Sequence, residues 1–299
     1  MFKKILFATS ATKACDHAAR VAFNISRLYN SHMNILHIIG VPGRGFSQEV
    51  TDVKTKEKVE VDDEYIAWVK EEIKTYYAEY LPKTESYEIK THIGYPHREI
   101  LREIRKNRPD LLVMGGSTDS EGNSVYKFES IGSTLQKVSK TSDCPVLLVN
   151  RAAASFWGSI TKVVFATDFS KSSDAAFDFA CKLARNIGCE LHIFHAQNIK
   201  LSPESEIFSQ DAIEQRMREK LRFFRKKYIS KMEGIENYSI EIWEGTPYIE
   251  IVKYAREKYA DLIVMAHNSK NPGTEAEKLG SNIKQVILRA GSPVLCINK

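Results

Sequence analysis

The chain has 299 residues, 43% apolar and 27% charged, with a formal net charge of +5, a length that suits two domains of about 150 residues each. The composition is that of an ordinary globular protein, and the mild positive charge admits a nucleotide or another anion without arguing for nucleic acid. No apolar run approaches the ~20 residues needed to span a bilayer, and the opening MFKKILFATS runs into a strand without a cleavage site.

Taken in chain order, the first half alternates short apolar runs with amphipathic ones. Strands are expected at 4–8, 33–39, 88–92, 111–114 and 146–149, where β-branched and aliphatic residues run almost unbroken between turn residues. Such runs mark strands covered on both faces. Between them Ile66, Val69, Ile73, Tyr76 and Tyr80 fall at spacings of three and four, the signature of one helix face. Pro96 stands at an expected helix start. Gly132-Ser133 precedes a further amphipathic helix carrying Leu135 and Val138.

A linker, RAAASFWGS, is expected at 151–159, with Phe156 and Trp157 packing on a domain. The second half then repeats the first. KKILFATS at 3–10 matches TKVVFATD at 161–168, and the same offset carries His37 onto His195. IGYPHREILREIRKNRPDLLVMGG at 93–116 matches EGTPYIEIVKYAREKYADLIVMAH at 244–267, and IGSTLQKVSKTSDCPVLLVN at 131–150 matches LGSNIKQVILRAGSPVLCIN at 279–298. The preserved order makes this a tandem duplication. Ile213, Met217, Leu221, Phe224 and Tyr228 give the second copy its own helix face, and Pro247 a helix start. Five strands alternating with four helices in each copy imply parallel α/β sheets with right-handed crossovers.

In an open parallel sheet, ligands bind beyond the carboxyl ends of the strands. Three segments should meet there in each copy. In the first they are Ala8-Thr9-Ser10, the strand end at Ile38, and Met114-Gly115-Gly116 leading through Gly122 to Gly132-Ser133-Thr134. In the second they are Ala166-Thr167-Asp168, the strand end at Ala196, and Met265-Ala266-His267 leading to Gly280-Ser281-Asn282. The amides of Gly132-Ser133 lie at a helix start, where anions are favoured. A plain N-cap after a glycine turn explains the same residues equally well.

These motifs together resemble the universal stress protein family of adenine-nucleotide-binding α/β domains. The resemblance rests on VVFATDFSKSSDAAFDFACKLARNIGCELHIFHA, the G-x-P of Gly94/Pro96 and Gly245/Pro247, DLLVMGG and DLIVMAH, the Gly-Ser helix starts, and the closing CPVLLV and SPVLCI. It covers 1–150 and 160–299. It implies two Rossmann-like domains of the adenine nucleotide alpha hydrolase-like class, at 1–150 and 160–299. Each would have a five-stranded parallel sheet of order 3-2-1-4-5 with helices on both faces, and the fifth strands would pair with each other across the chain. A homodimer of the whole chain stays open, as does an unidentified protein partner; the cysteines are scattered without ligand spacing, which fits a reducing cytoplasm.

Nucleotide-binding members of the family carry G-x2-G-x9-G-[ST] after strand four and an Asp at the end of strand one. By resemblance the first copy keeps Gly122, Gly132 and Ser133, has an enlarged loop behind Gly115-Gly116, and has Ser10 in place of the Asp. The second keeps Asp168, Gly280 and Ser281 but has Ala266-His267 at the first glycine; the alanine is expected to crowd a phosphate and resist positive φ. The resemblance therefore implies binding of ATP or AMP, with magnesium or manganese accompanying the nucleotide, a stress-response role and no dedicated reaction. A degenerate interaction scaffold is one alternative, and a slow ATPase or phosphoryl or adenylyl transferase another.

The remaining candidates read as structural. His37 and His195 fit core or strand-end histidines. His267 faces the expected phosphate site. Cys15-Asp16-His17 puts a thiol and an imidazole on different sides of a helix, and Ser10-Ala11-Thr12 reads as the N-cap of the first helix. The basic stretches 102–108 and 216–231 read as solvated helix faces. A P-loop, a dinucleotide G-x-G-x-x-G and a catalytic triad are all missing from the pattern.

Overall fold

The computed structural model describes residues 1–40, 49–51, 58–115, 132–150, 158–197, 210–267 and 281–298. The first half runs β1 (Lys4–Ala8), α1 (Asp16–Tyr29), β2 (His32–Gly40), two short strands β3 (Glu49–Thr51) and β4 (Lys58–Glu60), α2 (Asp63–Tyr76), β5 (Ser86–Gly94), α3 (Pro96–Asn107), β6 (Leu111–Gly115), α4 (Ser133–Thr141) and β7 (Val146–Val149). The second runs β8 (Lys162–Ala166), α5 (Lys171–Ile187), β9 (Glu190–Gln197), α6 (Gln210–Tyr228), β10 (Tyr238–Glu244), α7 (Pro247–Glu257), β11 (Leu262–Ala266), α8 (Ser281–Arg289) and β12 (Val294–Ile297).

All the strands except β3 and β4 form one ten-stranded sheet in the order β10-β9-β8-β11-β12-β7-β6-β1-β2-β5. Within this sheet the pairing is parallel inside each half. The two halves join where β12 meets β7 antiparallel, with Leu295 opposite Leu147 and Cys296 opposite Val146. This seam covers two apolar edge strands that would otherwise be open to aggregation. β3 and β4 pair only with each other, and no pattern in the sequence announced them.

Alternation along the strands divides the core into two layers. Ile5 and Phe7 look toward α1 and α2, while Leu6 and Ala8 belong to the opposite layer with α3 and α4; α5 and α6, then α7 and α8, repeat the division. Pro96 and Pro247 each stand at the first turn of their helix. Before them Gly94 and Gly245 have φ of +148° and +145°, and a Cβ there would come within 3.1 Å and 2.7 Å of the Glu99 and Glu250 side chains. Backbone conformation and the glutamate behind it together require glycine in the G-x-P motif.

The first helix face departs from its expected phase. Val69 and Ile73 are buried as the spacing requires, but Tyr76 is 41% exposed and Tyr77 takes the core place. Tyr77 lies four residues beyond Ile73 and its N–H still bonds the Ile73 carbonyl, so it continues the Val69–Ile73 stripe into the core, while Tyr76 lies to the side and donates its hydroxyl to Asp16. Tyr80 lies past the helix and stacks on Phe23 at 4.9 Å. In the second half Phe224 and Tyr228 are fully buried, with Met217 and Leu221 half-buried beside them; the Ile213 side chain, like linker residues Phe156 and Trp157, lies outside the described residues.

Candidate functional site

The order of each half reverses beside its first strand, because the chain passes from β5 to β6 on the other side of β1, and from β10 to β11 on the other side of β8. The carboxyl ends of these strands therefore flank a crevice. Ala8 stands in register with Leu36 and Met114, and Ala166 with Phe194. The sheet thus gathers Ala8, Thr9, Ser10, Met114 and Gly115 in one half, and Ala166, Thr167, Asp168, Met265 and Ala266 in the other, with Ile38 and Ala196 near the ends of the neighbouring strands. Gly116, Gly122 and Gly280 lie outside the described residues, as does the loop between them and the Ser281 side chain.

Several gathered side chains are committed inward. Thr9 Oγ1 lies 2.6 Å from the Tyr77 hydroxyl and accepts the Ala11 N–H. Thr167 Oγ1 likewise lies 2.8 Å from the Tyr228 hydroxyl and accepts the Phe169 N–H. Both threonines are buried, so their hydroxyls anchor the turn after strand one and do not face a ligand. That turn is left-handed in both halves, with φ +51° at Ala11 and +64° at Phe169. His37 Nδ1 donates to the Thr9 carbonyl at 3.0 Å and His195 Nδ1 to the Thr167 carbonyl at 2.8 Å. Burial pushes both imidazoles below their usual value. They brace the same turn as neutral rings.

The halves diverge at the next residue. Ser10 Oγ is held by Thr12 Oγ1 at 2.9 Å and Cys15 Sγ at 3.3 Å, and a 3-10 turn at Lys13–Cys15 separates it from α1, so the expected cap of that helix is not formed by this turn. Asp168 is exposed, and its Oδ1 accepts from the Ser170 N–H at 3.0 Å and the Ser173 hydroxyl at 2.7 Å, while Ser170 caps α5. Phe169 packs on the His195 ring at 4.4 Å, and the Lys220 ammonium stands 5.6 Å from the centre of the Phe169 ring. Lys227 donates to the Phe169 carbonyl and pairs with Asp174, each at 2.8 Å. In the first half Tyr76 occupies that place, its hydroxyl donating to Asp16 and burial pushing its pKa up to about 12. The flanking helix α6 carries seven basic and three acidic side chains, whereas α2 carries two basic and four acidic.

The phosphate side corrects two expectations. The N-cap of α4 is Gly132, with no side-chain cap, so Ser133 is the first helical residue and exposed rather than a cap; Thr134 follows it half-buried, as does Asn282 in α8. The N-cap glycine itself supplies no side chain to the first-turn amides of α4. Neither Gly115 nor Ala266 has positive φ. A Cβ at Gly115 would come within 3.1 Å of the Ala14 carbonyl and 3.4 Å of Cys15 Sγ, so in the first half packing against the helix start already restricts this position. His267 is buried and its N–H donates to the Ile297 carbonyl; it is not presented on an open phosphate face. Among the described residues no group of three or more His, Cys, Asp or Glu side chains is placed to hold a metal ion, and no helix is long and apolar enough to cross a membrane.

The universal stress protein family matches residues 1–150 and again 159–298. The chain belongs to this family. It is a tandem member, with two copies of the family domain in one chain. Universal stress protein MJ0531 of Methanocaldococcus jannaschii is 33% identical over 144 residues, which is 46% of this chain and 82% of that protein. Universal stress protein YxiE of Bacillus subtilis is 27% identical over 157 residues, 50% of this chain and 99% of its own length. A universal stress protein crystal structure from Archaeoglobus fulgidus superposes with a TM-score of 0.66 at 22% identity, covering 99% of this chain and 98% of the other. A protein of unknown function from Pseudomonas aeruginosa does so with a TM-score of 0.61 at 18% identity, covering 99% and 92%. At those identities the likeness is one of fold. In this tandem universal stress protein the inward-braced turn after strand one is common to both copies, and the carboxylate after it belongs to the second alone.

Proposed function

We propose that this universal stress protein binds an adenine nucleotide, ATP or AMP, in its second half, and works through binding rather than through a dedicated reaction. The observation that carries this reading is the Asp168 carboxylate next to Phe169 beyond the carboxyl end of β8, with the Lys220 ammonium 5.6 Å from the Phe169 ring. An ionised carboxylate only accepts hydrogen bonds, which suits ribose hydroxyls or the adenine amino group, and Oδ1 is already oriented by Ser170 and Ser173. The ammonium over the Phe169 ring, on a strongly basic helix, suits phosphates. Magnesium or manganese bound with the phosphates would supply charge neutralisation there, and of the residues gathered at this strand end Asp168 is the carboxylate that would hold it if it turned from the ribose.

Calorimetric titration of the full chain with ATP and with AMP tests this. Binding to the parent, lost in Asp168→Ala and weakened in Lys220→Ala, is the expected result. No heat at millimolar nucleotide, together with no adenine nucleotide released on denaturation, would sink it. A second reading applies to the first half. Its Ser10 is turned to Thr12 and Cys15 and its α2 is acidic, which favours a surface for a protein partner over a nucleotide site. Ser10→Asp would then confer no nucleotide binding on that half. Slow ATP hydrolysis would have to vanish in Asp168→Ala, with magnesium or manganese present, to count as an activity of this site.

A further inference from the structure

A separate concavity lies at the opposite end of the second half. At the amino ends of β8 and β11, beneath α7 and the turn after α8, a cleft of about 540 Å³ is floored by Val252, Ala255, Ile263 and Ala290. That volume is within the range of small-molecule sites. The first half differs at the corresponding positions. Its β6 and β7 keep the same register as β11 and β12, Leu112 opposite Val146 and Ile263 opposite Val294. Yet Leu101 and Ile104 stand where the second half has Val252 and Ala255, and Asp143 stands where it has Gly291. The second copy therefore carries smaller side chains than the first at three positions that line the cleft, on the same strand frame.

What borders the space is chemically specific. Tyr259 lines it with 77% of its surface exposed and φ of +53°. The left-handed region is unfavourable for a bulky side chain, so neither burial nor backbone preference accounts for a tyrosine here. Arg256 is exposed beside it and Lys162 half-buried. The nearby Asp261 carboxylate is spent on backbone, its Oδ2 accepting from the Thr161 N–H at 2.8 Å, the Thr161 hydroxyl at 2.7 Å and the Lys162 N–H at 2.9 Å. An apolar floor, an aromatic ring at the rim and two cations select for one kind of molecule.

We infer that this cleft is a second ligand site, for a small flat aromatic anion such as an aryl carboxylate or sulfonate. The ring of the ligand lies between Tyr259 and the Val252–Ala255 floor, and its acid group meets Arg256 and Lys162. The site is independent of the nucleotide crevice, which opens at the other end of the strands.

The probe is 8-anilinonaphthalene-1-sulfonate, titrated by fluorescence against the full chain. Saturable emission at one probe per chain is expected, with the same midpoint when ATP is saturating. Arg256→Ala should weaken binding about tenfold, the loss of one charge-assisted contact. Val252→Leu with Ala255→Ile, which installs the side chains of the first half, should abolish it. Tyr259→Gly separates ligand binding from stability: it relieves the left-handed backbone, so the thermal midpoint should hold or rise while probe binding falls. If the paired substitution does not fold, Arg256→Ala and Tyr259→Gly decide the matter. Unsaturable emission, or parental titration by Arg256→Ala and Tyr259→Gly alike, would overturn the proposal.

Discussion

Thr9 and Tyr77 share a buried hydrogen bond, Oγ1 to hydroxyl at 2.6 Å, and Thr167 and Tyr228 repeat it at 2.8 Å. In each half it ties the end of the helix before the third large strand to the turn after the first. The tyrosine rings also belong to aromatic clusters, Tyr77 with Phe7 and Phe23, Tyr228 with Phe165 and Phe177. Removing only the hydroxyl isolates the hydrogen bond from that packing. Tyr77→Phe and Tyr228→Phe should each lower stability by about 1 kcal/mol, and the double variant by roughly the sum, since the sites share no partner. Urea unfolding monitored by circular dichroism checks both values.

The G-x-P glycines give a graded expectation. A methyl group at Gly245 would sit 2.7 Å from Glu250 Oε1, whereas at Gly94 its nearest contact, Glu99 Cγ, is 3.1 Å away. Both positions also have φ near +145°. Gly245→Ala should therefore cost more than Gly94→Ala, each on the order of 1–3 kcal/mol from backbone strain alone. Combining Gly245→Ala with Glu250→Ala should recover the steric part and leave the conformational part. Thermal melts of the three variants separate the two contributions.

Much of this architecture was legible because the inner strands of the sheet are apolar runs covered on both faces and the duplication supplies most signals twice, whereas the edge strands β5 and β10 are only partly buried. The strand expected at 33–39 differs from His32–Gly40 in the structure by one residue at each end. What escaped the sequence depends on partners distant in the chain. Both Tyr76 and Tyr77 fit a helical step from Ile73, and the core place went to Tyr77, whose ring meets Phe7 and Phe23 and whose hydroxyl meets Thr9. Glu103 is buried, an improbable place for a glutamate until Lys90 of β5 appears 2.9 Å away. At the candidate site the residue types were legible but not their directions. Thr9 and Thr167 lie at the strand ends that the pattern indicated, yet point into the core. Ser133 follows the glycine that caps its helix and is not the cap itself, and Ala266 needs no positive φ. A strand end can be located from composition; the side on which its hydroxyl finds a tyrosine cannot.

The histidines that brace the two turns set a pH dependence. Burial lowers the pKa of His37 and His195 from the usual 6.5, so the folded chain favours the neutral rings. The unfolded rings take up protons first as pH falls through 6.5, and the folded state loses stability progressively below that value until its own lower pKa is passed. Above 6.5 the contribution is complete. Urea midpoints should thus fall between pH 7.5 and pH 5. His195→Gln should flatten that slope even if it lowers the midpoint at pH 7.5, and an unchanged slope in both His37→Gln and His195→Gln would assign the pH dependence to other groups.

The seam between the halves can be read through a thiol. All five cysteines are buried, and burial pushes Cys144, Cys181 and Cys189 up to about 11 and Cys296 higher still. Thiolate is the reactive form, so these four should resist a disulfide reagent at pH 8 in the native protein and react once it is denatured. Cys296 differs from the other three in position: it lies directly opposite Val146 across the antiparallel β7–β12 pair. Parting of the two fifth strands should expose it. Val146→Ala removes the side chain facing it and should weaken the seam by about 1–2 kcal/mol, the cost of two buried methyl groups. If the halves open there before either unfolds, peptide-resolved labelling will show Cys296 accelerated roughly tenfold, with Cys181 and Cys189, in the body of the second half, unchanged. Equal acceleration of all three would mean that the ten strands open as one cooperative unit.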